Sequence, residues 1–299
     1  MTGNIPKSIE DYLNQLRAAL AGEDPALIQD ALYDAEEYLR AELAANAGRP
    51  QSEVIADIVR SYGAPEEVAE VYRQQEATVK KALQTPPPIP RESALGRFFG
   101  VLSDPRAYAA LFYMLLSLAT GIVYFTWSVT GWSLSLGLMI LIIGIPFLLL
   151  FLGATRLLSL LEGRIVEVML GVRMPRRPVY QAQDNGLLSR IGDMLSDLRT
   201  WATFVYMLAM LPLGIAYFTI AVTGLSTTLS LLFAPIWSLF DGGHIWWDGD
   251  IVQVHWWWTP LLSVLGFIGI VLLLHLARGI GYLHGQLAKV LLVRVEADS

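Results

Sequence analysis

The sequence predicts an all-α integral membrane protein: a small cytoplasmic helical domain, then a duplicated four-transmembrane-helix bundle with an outer β-hairpin insertion. Three observations support this prediction. The 299 residues are 54% hydrophobic and only 16% charged, with a mean hydropathy of +0.48, which is typical of membrane proteins. Residues 107–155 and 200–240 contain no charged residue or histidine, whereas residues 1–81 are rich in charge. The stretch YFTWSVTG from Tyr124 returns as YFTIAVTG from Tyr217.

The uncharged runs set the number of spans. A helix needs about 20 apolar residues to cross the bilayer core, so the first run is long enough for two spans. Thr130, Gly131 and Ser133 predict the break between them. The predicted spans are residues 108–129, 134–158, 201–222 and 260–276.

Arginine and lysine predict the orientation. They lie before the first span, between the second and third spans, and after the fourth, and the two remaining loops contain none. By the positive-inside rule, both termini and the central loop face the cytoplasm, and the protein is a multi-pass protein of the cell (inner) membrane.

The repeat has a fixed offset of 93 residues (217 − 124). The same offset pairs Asp104 with Asp197 and Gly121 with Gly214, and about half of the aligned positions in residues 104–136 are identical. Such identity predicts a duplication, with membrane repeats at residues 94–179 and 180–299. The repeat either serves only to build the four-helix bundle or also forms a functional interface between the two half-bundles. A transport path is disfavoured, because we expect no ionisable group inside the bundle and place His275 at its cytoplasmic end.

The second repeat differs by an insertion, residues 241–258, in which Asp248-Gly249-Asp250 predicts a tight hairpin turn. One interpretation is an amphipathic hairpin that rests on the outer helix ends, with its tryptophans at the lipid headgroups. The other is a sensing surface for a ligand or lipid. Two histidines and one aspartate are too few to predict a metal site. The candidate sensing residues, on the mixed face of the hairpin, are His244, Trp246, Asp248, Gln253, His255 and Trp257.

The charged N-terminal part, residues 1–85, predicts four short helices. Ile9, Leu13, Leu16 and Leu20 lie on one face of the first helix. Asp24-Pro25 starts the second, the third covers residues 51–62, and Gly63-Ala64-Pro65 separates the third from the last. Residues 86–93 form a proline-rich, semi-rigid linker to the membrane part.

Charged residues supply two candidate contact surfaces. The acidic side chains Asp34, Glu37, Glu66 and Glu67 form the candidate partner surface of the helical domain. Arg173, Arg176 and Arg177 are candidate contacts to anionic lipid. The acidic domain and the net charge of −6 argue against direct nucleic-acid binding. No catalytic motif, catalytic residue or cofactor motif is recognisable, so we predict a non-enzymatic protein with no cofactor.

Two resemblances follow from these motifs. The segments DYLNQLRAAL, ALYDAEEYLRAEL and SEVIADIVRSYGAPEEVAEVY resemble the HAAS signalling domain over residues 9–74. This resemblance implies a cytoplasmic interaction module, often encoded with PadR-like transcription regulators. The segments LSDPRAYAALFYMLLSLATGIVYFTWSVTG and LEGRIVEVMLGVRMPRRP resemble the sensor domain found ahead of some bacterial histidine kinases, over residues 96–295.

Two functional hypotheses remain. The first is a transmembrane sensor and transducer that couples an envelope or lipid cue to a cytoplasmic partner, such as a PadR-like transcription regulator. The second is an accessory or scaffold subunit attached to a second membrane protein, such as a transporter. Both require the lipid bilayer, and both leave a homo-oligomer open.

Overall fold

Helices make up most of the chain. The computed structural model describes residues 6–83, 93–141, 143–177, 192, 194–241, 244–247, 250–253 and 255–293. The chain forms two compact units, one of residues 1–86, 131–205 and 287–299, the other of residues 87–130 and 206–286.

The N-terminal domain has the four predicted helices: α1 (Ile9–Ala19), α2 (Pro25–Ala45), α3 (Gln51–Ser61) and α4 (Pro65–Leu83). The starts of α1 and α2 follow the expected capping chemistry. The Ser8 hydroxyl accepts a hydrogen bond from the Asp11 amide at 3.1 Å, and the Asp24 carboxylate accepts one from the Ala26 amide at 3.0 Å. Gly63, at φ +115°, makes the left-handed turn between α3 and α4.

The core of this domain lies between the apolar faces of the four helices. Leu16 and Leu20 are buried as the spacing predicts, Ile9 and Leu13 are partly buried, and Ala35 and Leu39 of α2 are buried as well. Tyr12 is also fully buried, because its ring fills the core while its hydroxyl donates to the Gly63 carbonyl at 2.9 Å. The other buried members are Ala31, Val54, Ile55, Ile58, Val68 and Ala69.

Within the part of the chain that the structure describes, four helices are long and apolar enough to span a membrane, so the chain is a multi-pass membrane protein. They are α6 (Pro105–Leu138), α7 (Gly144–Leu170), α8 (Leu198–Leu232) and α10 (Thr259–Leu292). A short α5 (Ala94–Phe99) and a 3₁₀ turn (Gly100–Ser103) precede α6, and α9 (Ala234–Asp241) follows α8.

The predicted break at Thr130, Gly131 and Ser133 is wrong. Helix α6 continues through these residues to Leu138, and the chain turns between Leu138 and Gly144. Gly131 makes room for the Phe151 ring, which a Cβ at this position would strike. A glycine that breaks a helix and one that admits a neighbouring side chain look alike in sequence.

Two of the spanning helices extend well past the predicted spans 134–158 and 260–276. Helix α7 continues unbroken to Leu170, and α10 continues to Leu292. Glycine in the left-handed conformation ends α7 at Gly171, with φ +72°. Polar residues such as His284 therefore lie on the long helices themselves.

Two glycines of the repeat let α6 and α8 approach closely. A Cβ on Gly121 would collide with the backbone of Met210 and Leu211. A Cβ on Gly214 would collide with the backbone of Ser117 and Leu118. Gly121 and Gly214 are 93 residues apart, as are Ser117 and Met210, so the contact is reciprocal.

A short pair of strands lies within the insertion. Strand β1 (His244–Trp247) pairs antiparallel with β2 (Asp250–Gln253), and His244 lies opposite Gln253 in the register. The strand alternation does not reach Trp256 and Trp257, because a 3₁₀ turn, Trp256–Trp258, begins there and leads into α10.

Candidate functional site

Arg173 forms an ion-pair cluster between the N-terminal domain and the segment after α7. Its guanidinium lies 2.9 Å from Asp30 of α2 and 3.1 Å from Glu76 of α4. A third carboxylate, Glu167 of α7, lies 3.5 Å away. The Arg173 side chain is only 10% exposed, and the three carboxylates are also buried.

Asp30 binds the backbone of the same segment. One carboxylate oxygen accepts hydrogen bonds from the amides of Arg176 at 2.7 Å and Arg177 at 2.8 Å, while the other oxygen accepts from Arg173. Three donors on one carboxylate fix both the side chain and the path of residues 173–177. We call Arg173, Asp30, Glu76 and Glu167 the Arg173 cluster.

Burial and charge act in opposite directions in the Arg173 cluster. Burial lowers the pKa of the Arg173 guanidinium, but the carboxylates of Asp30 and its neighbours outweigh burial and raise the pKa overall. Burial raises the pKa of Asp30, although the Arg177 and Arg176 amides and the Arg173 charge act to lower it. Removing the Arg173 cation would leave the buried Asp30 and Glu76 carboxylates without a counter-ion, whereas Glu167 would keep its ion pairs with Arg164 and Arg176.

The N-terminal turn of α2 contacts two more membrane helices. Lys289 near the end of α10 lies 2.6 Å from the Asp24 carboxylate. Arg199 at the start of α8 donates to the Gln29 side chain at 3.1 Å and to the Leu292 carbonyl at 2.9 Å. Helix α2 is therefore the element on which charged ends of α8 and α10, and the segment after α7, converge.

The arginines predicted to bind lipid have other partners. Arg173 is not available to a lipid headgroup, because it is buried in the Arg173 cluster, and this part of the prediction is wrong. Arg176 lies 3.4 Å from Glu167 and Arg177 lies 3.0 Å from Asp34, and both side chains are exposed. A run of basic residues predicts a lipid-binding patch because sequence does not show which carboxylates fold onto it.

The acidic residues of the predicted partner surface divide into two groups. Asp34 is half-buried, accepts a hydrogen bond from the Tyr72 hydroxyl at 2.8 Å and pairs with Arg177. Glu37, Glu66 and Glu67 are exposed. Glu67 also accepts a hydrogen bond from the Ala64 amide at 3.2 Å and caps α4. The solvent-facing part of that surface is thus Glu37, Glu66 and Glu67, and of these Glu37 and Glu66 have no part in capping α4.

The candidate sensing residues do not form one continuous strand face. His244, Trp246 and Gln253 lie on the paired strands, whereas Asp248 lies outside the described residues. His255 and Trp257 follow the strands, and their rings lie 4.4 Å apart. Within the described ranges, no group of three His, Cys, Asp or Glu side chains is arranged to hold a metal ion.

A buried polar cluster that the sequence did not predict surrounds His284 of α10. Its Nε2 atom lies 2.6 Å from the Tyr113 hydroxyl and 3.0 Å from the Tyr206 hydroxyl, and its Nδ1 atom lies 3.4 Å from the Tyr217 hydroxyl. The imidazole is 1% exposed. Tyr113 and Tyr206 are 93 residues apart, so equivalent residues of the two repeats bind the same imidazole.

Ionisable residues inside the long helices contradict the expectation that there are none. Glu162 of α7 is as buried as His284. The two residues are 122 positions apart (284 − 162), as are Arg156 and Arg278 (278 − 156). The offset is 122 rather than 93 because the second repeat contains the insertion. An alignment of Arg156 with Arg278 would have shown that Glu162 and His284 occupy equivalent positions. His275, which we had singled out instead, lies 2.9 Å from the Phe98 carbonyl.

These features define a class: a multi-pass helical membrane protein with a helical N-terminal domain joined to it by buried ion pairs. The family model described as "Putative sensor" matches residues 113–292, more than half of the chain, and the chain belongs to that family. The HAAS model matches residues 11–71, so both resemblances are confirmed in their order along the chain. Neither family is catalytic. No curated protein and no solved structure matches the chain.

Proposed function

We propose that the protein is a non-enzymatic transmembrane sensor and transducer that couples an envelope or lipid cue to a cytoplasmic partner. The partner class that the HAAS domain suggests is a soluble regulator, such as a PadR-like transcription regulator. The single observation that best supports the proposal is the Arg173 cluster. It joins α2 and α4 of the HAAS domain to the segment that directly follows a membrane-spanning helix.

The proposed route of the signal is short. A shift of α7 displaces Glu167 and the segment 173–177, and Asp30 binds that segment at three points. Movements of α8 and α10 reach the same helix through Gln29 and Asp24. Because packed charged groups have few alternative arrangements, a small displacement at these contacts favours a different position of α2.

The proposed organisation follows the charge pattern. Residues 1–85 form the cytoplasmic domain, residues 86–93 the linker, and residues 94–179 and 180–299 two membrane repeats that arose by duplication. Both termini lie on the cytoplasmic side of the inner membrane, and the insertion 241–258 forms a hairpin on the outer side. The reciprocal Gly121 and Gly214 contact and the shared tyrosine contacts of His284 support the duplication.

The proposed surfaces have different tasks. Glu37 and Glu66 are exposed carboxylates on the HAAS domain and are the proposed contacts to the partner. The residues around the paired strands are the proposed outer sensing surface: His244, Trp246, Asp248, Gln253, His255 and Trp257. Exposed Arg177 can leave Asp34 for anionic lipid at low cost, because partly exposed ion pairs contribute little stability. Exposed Arg176 can leave Glu167 because Arg164 and Arg173 also pair with that carboxylate.

The test is purification in mild detergent of the full chain beside a variant lacking residues 1–83, with mass spectrometry of the proteins that accompany each. The proposal predicts that both variants insert into the membrane and that a soluble regulator accompanies only the full chain. A membrane protein retained by both variants would contradict the proposal and favour an accessory subunit. Loss of insertion on truncation would contradict the proposed division between the domains.

A further inference from the structure

A polar cleft lies between α7 and the start of α8. Arg156 and Ser159 of α7 line one side, and Asp197, Thr200 and Thr203 line the other. Arg156 ends the first uncharged run of the chain, and Arg199 directly precedes the second. The cleft therefore lies where two apolar membrane segments end, which is the level of lipid headgroups.

Three side chains that line the cleft make no hydrogen bond within the described chain: those of Arg156, Thr200 and Thr203. Among the described residues, the carboxylate oxygen nearest to the Arg156 guanidinium is that of Asp197, at 4.0 Å, which exceeds a hydrogen bond. The Thr200 and Thr203 side chains are more than nine-tenths buried, and neither hydroxyl has a hydrogen-bond partner in the described chain. A guanidinium and two hydroxyls thus line one cleft without hydrogen bonds of their own, and among the described residues the guanidinium has only a long ion pair with Asp197.

The charge of the cleft favours an anion. Arg156 and Arg199 against Asp197 leave a net charge of +1 (2 − 1). Asp197 uses one carboxylate oxygen to cap α8, by accepting from the Arg199 amide at 3.1 Å. Ser159 donates to the Arg156 carbonyl at 2.8 Å and so offers no free donor. A tetrahedral phosphate matches the remaining donors, because a guanidinium can bind two of its oxygens while a threonine hydroxyl binds a third.

Apolar residues beside the cleft indicate where the phosphate comes from. Leu157, next to Arg156, is 69% exposed, and Leu198, next to Asp197, is 81% exposed. Exposed leucines on both helices offer a surface for acyl chains directly beside the phosphate-binding donors. A free phosphate ion would gain nothing from these leucines.

From this geometry we infer that the cleft at Arg156, Thr200 and Thr203 binds the phosphate of an anionic phospholipid. Arg156 supplies the charge and a bidentate contact, the two threonines supply hydroxyl donors, and Leu157 and Leu198 contact the acyl chains. This site is separate from Arg176 and Arg177, and it does not depend on the proposed signalling role.

The test is titration of the purified full chain in detergent with short-chain phosphatidylglycerol, phosphatidylcholine or inorganic phosphate, with the thermal unfolding midpoint as the readout. We expect phosphatidylglycerol to raise the midpoint most. We also expect Arg156→Gln to weaken its apparent affinity by about tenfold or more, the loss of a charge-assisted contact. The matched control is Arg97→Gln, because Arg97 is an exposed arginine on α5 outside the cleft.

Different results would contradict the site itself and the lipid as its occupant. Unchanged phosphatidylglycerol affinity in Arg156→Gln overturns the site, and an equal response to inorganic phosphate overturns the lipid as its occupant. Thr203→Val keeps the arginine and removes one donor, so we expect a weakening of about threefold to tenfold. If Arg156→Gln does not fold, Thr203→Val decides the question, and an unchanged affinity in that variant overturns the site.

Discussion

The guanidinium of Arg173 lies 2.9 Å from the carboxylate of Asp30, although the two residues are 143 positions apart in the chain. Asp30 belongs to the HAAS domain, and Arg173 follows a membrane-spanning helix. Both side chains are buried. This ion pair is therefore a physical connection through which the membrane segment can influence the HAAS domain.

Arg173→Gln is expected to destabilise this connection. The variant leaves Asp30 and Glu76 buried without a cation, and breaking a buried pair costs about 3–5 kcal/mol. Thermal unfolding of the detergent-solubilised protein should show a lower midpoint, with earlier proteolysis of α2. Arg97→Gln is the control and should behave like the unmodified chain. Equal midpoints for both variants would show that the Arg173 cluster contributes no net stability.

Removal of His284 should destabilise the long helices more than removal of its partners. In His284→Phe, the Tyr113, Tyr206 and Tyr217 hydroxyls lose a buried partner, at about 1–3 kcal/mol for each group left unsatisfied. The triple variant Tyr113→Phe, Tyr206→Phe, Tyr217→Phe added to His284→Phe should recover part of the loss. Tyr282→Phe is the control, since Tyr282 is exposed. A His284→Phe midpoint equal to that of the control would contradict a stabilising role.

Gly121→Ala and Gly214→Ala should each separate α6 from α8. The new Cβ would meet backbone rather than a flexible side chain, so the helices must shift, and overpacking costs about 1–3 kcal/mol. Gly137→Ala is the matched control, because a Cβ there has no neighbour within 4 Å. Alanine at Gly137 should be neutral or slightly stabilising through its helix propensity. The close-approach account fails if all three variants unfold at the same temperature.

The HAAS domain should lose stability at alkaline pH. Burial raises the pKa values of Tyr12, Tyr62 and Tyr72, and for Tyr72 the Asp34 carboxylate raises it further. Since the folded pKa values exceed those of the unfolded chain, this stabilisation is complete below about pH 10 and is lost as the pH rises above it. The measurement is the unfolding midpoint of α1–α4 at pH values below and above about 10, monitored by hydrogen exchange in the full chain. Tyr12→Phe and Tyr72→Phe should each reduce the pH dependence, and a midpoint constant above about pH 10 would contradict the assignment.

Local sequence signals predicted the HAAS domain well and the membrane part less fully. Asp24-Pro25 and Gly63-Ala64-Pro65 have strong backbone preferences, so the starts of α2 and α4 follow from sequence. Gly131 is ambiguous, since only the position of Phe151 shows why a glycine is needed there. Periodicity also cannot show that a helix continues past its apolar part, so the predicted fourth span ends at residue 276 and leaves out His284, which lies on α10.

The candidate site was harder to predict because its residues are distant in sequence. The sequence shows Arg173 only as part of a basic segment. Its partners Asp30 and Glu76 lie 143 and 97 positions away, and their contacts make Arg173 an ion-pair partner rather than a lipid contact. The repeat offset was the usable signal for the second cluster. The offset of 93 residues pairs Tyr113 with Tyr206. Alignment of Arg156 with Arg278 would also have paired Glu162 with His284.

The most direct test of the central claim is to compare how much soluble partner co-purifies with the full chain, with Arg173→Gln and with Arg97→Gln, at equal amounts of membrane-inserted protein. If the Arg173 cluster connects the membrane helices to the HAAS domain, Arg173→Gln changes partner recovery and Arg97→Gln does not. Partner recovery that is identical in all three would contradict the claim that this contact transmits a signal.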